Sequence, residues 1–261
     1  MIVTWSEGTA DHNMPEDILS ELGETMNRHP WWRARARLAL ALLAAAEIRP
    51  PARVLDAGCG SGALLDALEW KGYTVWGLDI SRKALERIDR GSRTLIQADL
   101  TRCKPPEIGP FDAILLLDVI EHLDDERVAL RTLNGLLKPG SLAIVSVPAR
   151  PDLFSEFDRV QGHRRRYTPD SFASVFDDTG FEVLQILWWG YLMVPFLLFQ
   201  RRRPKSRPGD FPHAIYKRYL KLPPWPVDRL MDLAMAWEQS RTLRKRNRTG
   251  TSLIALAARS S

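Results

Sequence analysis

The first feature that could do chemistry is a glycine-rich turn between a predicted strand, Arg53–Ala57, and a predicted helix, Ala63–Lys71. Glycine lets the backbone turn sharply and approach a ligand closely, and the first N–H groups of the helix point toward that ligand. Gly58, Gly60 and Ala63 also satisfy the relaxed dinucleotide pattern G-x-G-x-x-A. The turn therefore predicts a nucleotide-type site, with a tight turn that binds nothing as the alternative.

Polar side chains follow the next predicted strands. Asp79 ends the second strand, where a carboxylate can accept hydrogen bonds from both ribose hydroxyls of a nucleoside. Asp99 follows the third strand and can reach an adenine amino group, although an ordinary loop aspartate is the alternative. The stretch Asp118–Leu123, DVIEHL, brings two carboxyl groups and an imidazole to the end of the fourth strand. Together with the glycine turn, these residues predict a nucleoside site.

These side chains need a sheet to bring them together. Apolar runs alternate with helical stretches from residue 53 onward, which predicts an α/β fold with a doubly wound, mainly parallel sheet. Ligands of such sheets bind at the carboxyl ends of the strands. The predicted strands are Arg53–Ala57, Tyr73–Leu78, Arg93–Ala98, Phe111–Leu117, Leu142–Val147, Phe181–Leu187 and Thr251–Ala257. The predicted helices are Trp31–Ile48, Ala63–Lys71, Ser81–Arg90, Asp124–Leu137 and Thr168–Thr179.

Five segments within residues 53–148 resemble the class I S-adenosylmethionine-dependent methyltransferases in order and spacing. They are VLDAGCGSG, GLDIS, QADL, FDAILLLDVIEHL and LLKPGSLAIVSVP. The flanking stretches HPWWRARARLAL, VPARPDLFSEFDRVQGHRRRYTPDSF and DDTGFEV resemble a bacterial subgroup that includes ubiquinone-type and cell-envelope-associated enzymes. The resemblance implies a seven-stranded Rossmann-like sheet with helices on both faces and an antiparallel last strand. It also implies S-adenosyl-L-methionine as methyl donor and S-adenosyl-L-homocysteine as product.

The resemblance assigns roles to single residues of the donor site. It implies that the methionine part lies along the glycine turn, that Asp79 holds the ribose, and that Asp118 and Val119 close the pocket near the sulfonium. Ile80, Asp99 and Leu100 are expected around the adenine. The expected donor-binding residues are Asp56, Ala57, Gly58, Cys59, Gly60, Asp79, Ile80, Asp99, Leu100, Asp118 and Val119.

Two histidines are candidates for a catalytic base. His122 and His163 both follow strands around the expected donor, and either could deprotonate a hydroxyl acceptor. The alternative is structural, with His122 capping its helix and His163 ordering its loop. A divalent metal at Glu121 and His122 is a rival, but it needs further ligands and only Asp124 and Asp125 are near in sequence. We therefore expect no metal.

The acceptor side is less well specified by the sequence. Arg164–Arg166 could pair with an anionic acceptor, or with Asp152, Glu156 and Asp158 just upstream. The uncharged stretch Ile186–Phe199 could be an interfacial membrane anchor, buried structure or the wall of an acceptor pocket, but it is too short to span a bilayer. The acceptor-binding candidates are Arg166, Tyr167, Trp188 and Tyr191.

Composition sets wider limits. The 261 residues are 45% apolar and 26% charged, which excludes disordered, collagen-like and fibrous chains. Two cysteines, Cys59 and Cys103, exclude a disulfide framework and a cysteine-rich metal site. The N-terminus lacks the apolar stretch of a secretory signal, so we expect a cytoplasmic enzyme, alternatively one peripheral to the inner membrane.

Charge is unevenly distributed. The net charge is +5, but residues 200–250 hold 14 Lys and Arg against 4 Asp and Glu, a net of +10, which leaves −5 for the rest. The basic section suits a nucleic-acid partner or an anionic membrane surface, or is a solvated, Arg-rich helical face. We expect residues 1–50 to form a loose arm and a helix, and 51–189 the donor-binding core. An apolar and basic helical insertion over 190–250 covers the acceptor site, and 251–261 supply the last strand.

These expectations combine into an S-adenosylmethionine-dependent methyltransferase acting on oxygen of a small or lipid-like molecule. Methylation of carbon or nitrogen is the alternative within that class. Other classes are a nucleic-acid methyltransferase, a nucleotide-dependent oxidoreductase and a non-catalytic scaffold. An amino-methylating DNA enzyme would carry Asn-Pro-Pro-aromatic where this chain has Asp118-Val119-Ile120-Glu121, so a nucleic-acid acceptor is disfavoured. The sequence leaves the oligomeric state open.

Overall fold

The computed structural model describes residues 2–5, 25, 28–89, 91, 93–102, 108–201, 215 and 221–260. Several predictions concern residues outside these ranges. They include most of the polar N-terminal arm, Cys103, the basic run from Arg202 to Arg207, and nearly all of 212–220 as part of a predicted helix.

One mixed sheet organises the described part of the chain. Its eight strands lie in the order β1-β4-β3-β2-β5-β6-β8-β7. Neighbours from β1 to β6 pair in parallel, whereas β8 pairs antiparallel with both β6 and β7. The strands are β1 Ile2–Thr4, β2 Arg53–Ala57, β3 Thr74–Asp79, β4 Thr94–Gln97, β5 Phe111–Leu117, β6 Leu137–Pro148, β7 Phe181–Trp189 and β8 Ser252–Arg259. The predicted α/β fold and its antiparallel last strand are confirmed.

Helices cover both faces of the sheet. The described helices are α1 Pro30–Ala45, α2 Ala63–Trp70, α3 Arg82–Arg87, α4 Glu126–Asn134, α5 Glu156–Val160, α6 Pro169–Ser174, α7 Met193–Arg201 and α8 Val227–Leu243. Short 3-10 turns follow β5 at Ile120–His122 and β6 at Pro151–Leu153. The side chains of Asp125, Ser155 and Thr168 cap α4, α5 and α6 by accepting backbone N–H groups.

Two apolar cores sandwich the sheet, one on each face. Leu55, Ile114 and Val145 belong to one core, whereas Val54, Ala113 and Ile144 belong to the other. Adjacent residues of a strand point to opposite faces, so strands buried on both sides must be apolar throughout. This explains the unbroken apolar run of β5.

The structure differs from the sequence predictions in two segments. Within the predicted loose arm, Ile2–Thr4 forms an edge strand because it pairs in parallel with Leu95–Gln97. Lys138-Pro139-Gly140 lies inside β6 instead of ending a helix at Leu137, because Leu137 pairs with Phe111 of β5. Both segments are strands only because a neighbouring strand pairs with them. The local sequence does not indicate that pairing, and Lys138-Pro139-Gly140 by itself is typical of a turn.

The insertion between β7 and β8 contains α7 and α8. Met235, Glu238 and Thr242 form the buried side of α8, while Leu230 and Leu233 are among its most exposed residues. Among the described residues, no helix is both long and apolar enough to cross a bilayer.

Candidate active site

A cavity of about 410 Å³ opens at the carboxyl ends of β2, β3, β4 and β5. The order of strands reverses at β2, since the chain moves outward from β2 to β3 and β4 on one side and to β5 and β6 on the other. Doubly wound sheets bind their ligands at this reversal. Ten of the eleven expected donor-binding residues line the cavity; Ala57 is instead fully buried in the core beneath it.

The glycine turn forms the floor of the cavity. Gly58 has φ +85°, and a Cβ there would overlap Cγ2 of Val119. Its N–H donates to the Leu78 carbonyl at 2.7 Å, which ties the end of β2 to β3. Gly60 has φ +51° with open space where a Cβ would stand, so a ligand can lie directly on its backbone.

Asp79 is fixed by the backbone of two neighbouring segments. Its Oδ2 accepts the N–H of Gly60 at 2.8 Å and its Oδ1 accepts the N–H of Ser81 at 2.9 Å. These two hydrogen bonds join the glycine turn, Asp79 and the start of α3 into one unit, and Asp79 lines the cavity.

Two further groups of the donor side differ in their surroundings. Asp56 is only 3% exposed, and burial raises its pKa to about 7, with Arg35 opposing and Asp79 adding to that rise. The Asp99 carboxylate is held by Thr101, which donates from its N–H at 2.9 Å and from Oγ1 at 2.6 Å. Burial also raises the pKa of the Cys59 thiol well above its ordinary value, which leaves the thiol neutral.

Asp118 links the sheet to α1. Its backbone has φ +56°, its Oδ1 accepts the hydroxyl of Ser146 at 2.9 Å, and its Oδ2 pairs with Arg35. Arg35 itself lines the cavity. Arg35 was not among the predicted site residues, and no local pattern marks it, because its partner lies 83 residues further along the chain.

Beside Asp118, three titratable side chains meet at the cavity wall. One ligand-type atom from each of Glu121, His122 and His163 lies within 4.8 Å of the others. The two imidazole rings pack edge to face with centroids 4.8 Å apart. Thus the structure brings together both candidate histidines and adds Glu121. We call these three residues the cavity triad.

Burial dominates the protonation of Glu121 and His122. Glu121 is completely buried, neither of its carboxyl oxygens has a hydrogen-bond partner, and burial together with the charge of Asp118 raises its pKa well above the ordinary value. Burial and the neighbouring His163 lower the pKa of His122 to about 4. His122 Nδ1 is also buried without a partner.

His163 is oriented by a buried carboxylate. Its Nδ1 lies 3.1 Å from Oδ1 of Asp158, and its Nε2 lies 3.8 Å from Oε1 of Glu121. Burial raises the pKa of Asp158, but the hydrogen bond from His163 and the charge of Arg166 outweigh it and hold that pKa below its usual range. Asp158 therefore stays anionic, and Nδ1 of His163 carries the proton that faces it.

The basic run Arg164–Arg166 is paired within the protein. Arg164 pairs with Asp124, Arg165 with Glu126, and Arg166 with Asp158 at 2.7 Å. Arg166 is the one member that lines the cavity. The predicted pairing of an arginine with Asp158 is confirmed, whereas Asp124 and Glu126 come from a segment about 40 residues away in sequence.

Three acceptor-binding candidates do not line the cavity. Tyr167 is buried in the core and donates its hydroxyl to Glu126 at 3.0 Å. Trp188 packs on the core opposite to that of Trp189, because adjacent strand residues face opposite sides. Tyr191 is exposed beside the start of α7.

The side of the cavity opposite the glycine turn is apolar. We call its residues from α1 and α7 the apolar wall; they are Trp31, Trp32, Met193, Phe196 and Leu197. Trp31 stacks on Trp189 with ring centroids 4.2 Å apart, which fixes α1 over the sheet. Within the stretch Ile186–Phe199, Met193, Phe196 and Leu197 of α7 thus line the cavity, and the residues that α1 adds were not predicted.

α8 holds α1 and α7 in place without lining the cavity. Asp232 pairs with Arg33 at 2.5 Å and with Arg37 at 3.1 Å. The buried Glu238 accepts the backbone N–H groups of Tyr191 at 2.5 Å and Leu192 at 3.3 Å, just before α7 begins. A carboxylate at a helix N-terminus satisfies N–H groups that have no partner inside the helix.

Comparison with known sequences gives one family and a set of partial relatives. A family model described as a methyltransferase domain matches residues 31–186. The ubiquinone biosynthesis O-methyltransferase of Vibrio parahaemolyticus is 32% identical over 94 residues, covering 34% of this chain and 40% of that protein. Its counterpart in a Caulobacter species is 36% identical over 103 residues, covering 36% and 40%. The matches thus span about 40% of the length of these relatives.

Comparison with solved structures shows the same fold. A complex of the Haloferax volcanii Trm112 methyltransferase activator with a methyltransferase matches with TM-score 0.60 and 18% identity, covering 97% of this chain and 100% of the matched one. The [4+2]-cyclase SpnF gives 0.57 and 18%, covering 88% and 82%. Coclaurine N-methyltransferase bound to N-methylheliamine and SAH gives 0.55 and 16%, covering 87% and 73%. At these identities the likeness concerns the fold alone.

Proposed function

This chain belongs to the class I S-adenosylmethionine-dependent methyltransferases, and from that membership we propose that it methylates an oxygen atom of a small, apolar or lipid-like acceptor. The observation that carries the proposal is that one cavity joins three elements: the glycine turn with its carboxylates, the cavity triad and the apolar wall. Donor, proton acceptor and acceptor substrate can therefore meet in one enclosed volume.

The donor residues fit S-adenosyl-L-methionine by charge and shape. The Asp79 carboxylate lines the cavity at the end of β3, where it can accept ribose hydroxyls, and the open backbone of Gly60 leaves room for the methionine part. Asp56 lies below as the partner of the methionine ammonium group. Ile80 and Leu100 border the adenine position, and Asp118 and Val119 border the sulfonium. When bound, the donor supplies a methyl group already activated for in-line displacement.

The protein's own contribution is positioning and exclusion of water. Trp31, Trp32 and Phe196 offer flat apolar surfaces against which a ring or an isoprenoid chain can pack. Pairing of Arg166 with Asp158 leaves little free positive charge there for an anionic acceptor. We therefore assign the apolar wall, with Arg166 at its edge, to acceptor binding, and drop Tyr167, Trp188 and Tyr191 from that role.

Oxygen methylation requires loss of a hydroxyl proton near the transferred methyl group. The cavity triad lines the cavity beside Asp118. Asp158 holds Nδ1 of His163, and we assign its Nε2 as the proton acceptor. The name of the partial relatives, ubiquinone biosynthesis O-methyltransferase, supports oxygen as the methylated atom. Methylation of carbon or nitrogen is the alternative, and identifying the methylated atom of the product decides between them.

The decisive experiment is a screen with a labelled methyl donor against quinols, phenols, lipid extracts, amines and nucleic acids. We expect label on phenol-type or lipid-like oxygen and none on nucleic acid. Label on nitrogen or carbon alone would overturn the oxygen assignment. Calorimetry with S-adenosyl-L-homocysteine and NAD separates the remaining classes, since binding of NAD alone would indicate an oxidoreductase.

Variants test the proton acceptor. We expect His163→Ala to lower turnover by about 10²-fold or more while S-adenosyl-L-homocysteine binding is retained. His122→Ala serves as the matched comparison on the same wall. Full turnover by both variants on the true acceptor would rule out a catalytic role for either histidine.

We also propose peripheral contact with an anionic membrane, from which a lipid-like acceptor would enter. α8 exposes Val227, Leu230, Leu233 and Trp237 along one side, and Arg241 stacks on Trp237 at 4.9 Å. Phe196, which lines the cavity, is itself 50% exposed. An apolar stripe beside basic residues is typical of helices that lie in the membrane interface.

A further inference from the structure

The cavity triad contains a buried carboxyl group whose hydrogen-bonding capacity is unused. Glu121 is completely buried, and neither Oε1 nor Oε2 has a hydrogen-bond partner. A polar group buried without a partner costs about 1–3 kcal/mol, and a buried charge costs more. Folded proteins rarely retain such a group unless a ligand or ion completes it.

The two histidines beside Glu121 do not satisfy its carboxyl oxygens by hydrogen bonding. His163 Nε2 lies 3.8 Å from Glu121 Oε1, too far for a hydrogen bond, and His122 Nδ1 is buried without a partner. One ligand-type atom from each residue lies within 4.8 Å of the others. This spacing suits an ion at the centre better than direct contact between the three groups.

A second layer of contacts orients the imidazole of His163. Asp158 faces Nδ1, and Asp158 is in turn held by Ser155 and Arg166. In metal sites the ring nitrogen opposite the ligating one commonly donates to a carboxylate, which fixes the tautomer and the direction of the lone pair. With Nδ1 facing Asp158, His163 directs its Nε2 toward Glu121.

From these contacts we propose that Glu121, His122 and His163 bind one divalent transition cation, and that the acceptor substrate completes its coordination through oxygen. Two imidazoles and one carboxylate with open positions match the ligand set of catalytic zinc sites. Imidazole nitrogen favours Zn²⁺ over Mg²⁺, which prefers oxygen ligands, and Mn²⁺ binds such mixed sites more weakly than Zn²⁺ does. Only the coordination of the acceptor rests on the proposed function, because the cation itself can bind without donor or acceptor.

The cation changes how the acceptor is activated. A hydroxyl placed on it loses its proton more readily, and that proton passes to water. The oxygen then forms the new O–C bond while the sulfonium S–C bond breaks, which leaves a neutral thioether. When the cation is bound, His122 and His163 act as its ligands. Their role is then to hold the ion, and they do not take the proton themselves.

The location explains why the sequence alone argued against a metal. Asp124 and Asp125, the ligands that lie near in sequence, are used elsewhere: Asp124 pairs with Arg164, and Asp125 caps α4. The third ligand, His163, comes from the loop after β6, and only folding brings it to Glu121.

Cation binding can be measured without turnover. After treatment with EDTA, the full chain is titrated with Mn²⁺ and followed by electron paramagnetic resonance, with Zn²⁺ as competitor and Mg²⁺ as comparison. We expect one Mn²⁺ per chain, displaced by Zn²⁺ and weakly by Mg²⁺. Wild-type protein that binds no Mn²⁺ and no Zn²⁺ would overturn the proposal.

Variants locate the ion. Glu121→Gln keeps the shape of the side chain but removes its charge, and we expect it to weaken Mn²⁺ binding at least about tenfold. His163→Ala should do the same, and the control Asp124→Asn should bind as wild type does. Loss of binding in Asp124→Asn alone would place the ion elsewhere and contradict the cavity triad as its site.

Activity measurements then distinguish the proposed cation site from the proposed oxygen methyltransferase function. EDTA should lower methyl transfer and Mn²⁺ or Zn²⁺ should restore it, while calorimetric binding of S-adenosyl-L-homocysteine is unchanged by EDTA. If methyl transfer to oxygen proceeds undiminished in EDTA, the cation has no catalytic role while the methyltransferase assignment stands.

Discussion

The side chain of Val119 closes directly over Gly58, so that the position of a Cβ on Gly58 is already occupied by Cγ2 of Val119. The loop after β5 thereby locks the turn after β2, and both border the proposed donor. We expect Gly58→Ala to lower S-adenosyl-L-homocysteine affinity at least tenfold, and stability by about 1–3 kcal/mol, because it adds overlap to an unfavourable φ of +85°.

Calorimetry and thermal unfolding of three variants test this lock. Gly140→Ala, with φ +75° and no neighbour within 4 Å, carries the backbone strain without the overlap and should keep donor affinity. Val119→Ala combined with Gly58→Ala should recover part of the loss. Equal affinity in Gly58→Ala and wild type would contradict the lock.

The pH dependence of donor binding should report Asp56. Burial raises its pKa to about 7, and pairing with the donor's ammonium group requires the ionised form. Donor affinity should therefore rise up to tenfold per unit as the pH increases toward 7, and level off above about 8. Calorimetry between pH 5.5 and 8.5 measures this, and Asp56→Asn should abolish the slope.

The raised pKa of Asp56 also makes the stability of the folded protein depend on pH. Because the folded carboxyl group binds its proton more tightly than the unfolded one, with its ordinary pKa of 3.8, the contribution of Asp56 to stability falls as the pH rises from about 4 to 7. Asp56→Asn should therefore lose less stability over that range than wild type. A donor affinity that stays flat through pH 7 in the wild type would disprove the ammonium pairing.

Glu238 should control the acceptor and not the donor. It accepts the N–H groups that precede α7, and α7 supplies Met193, Phe196 and Leu197 to the cavity. We expect Glu238→Ala to raise the acceptor KM about tenfold and to cost about 1–3 kcal/mol of stability, with donor affinity unchanged. Glu238→Gln keeps one accepting oxygen and should restore most of the KM, whereas equal KM values in all three proteins would count against this role.

The exposed stripe on α8 should govern membrane contact. Leu230→Glu with Leu233→Glu should weaken co-sedimentation with anionic vesicles about tenfold or more, since it places charge where apolar surface would be buried. Leu184→Glu, an equally exposed position on β7 outside the stripe, serves as the control. No binding of the wild type at low salt would exclude the membrane proposal.

Local sequence predicted the part of the cavity proposed to bind the donor because its residues stand at or near strand ends. Asp56 and Asp79 lie at the carboxyl ends of β2 and β3, and Asp118 directly follows β5, so finding the apolar strands locates all three. The acceptor half escaped prediction because it depends on contacts between distant segments, such as Arg35 with Asp118 across 83 residues. Strand periodicity alone does not say which face of β7 meets α1: Trp189 stacks on Trp31 of α1, Trp188 faces the other core, and neither lines the cavity.

The pairing of Arg33 and Arg37 with Asp232 couples segments nearly two hundred residues apart, on opposite sides of the donor-binding core. Substitutions in α1, which precedes the segment from β2 to β6, and in α7 and α8, which follow it, can therefore change the apolar wall without changing that segment. We expect laboratory evolution confined to α1, α7 and α8 to change which acceptors the enzyme methylates. These helices can vary in sequence while the segment proposed to bind the methyl donor stays constant.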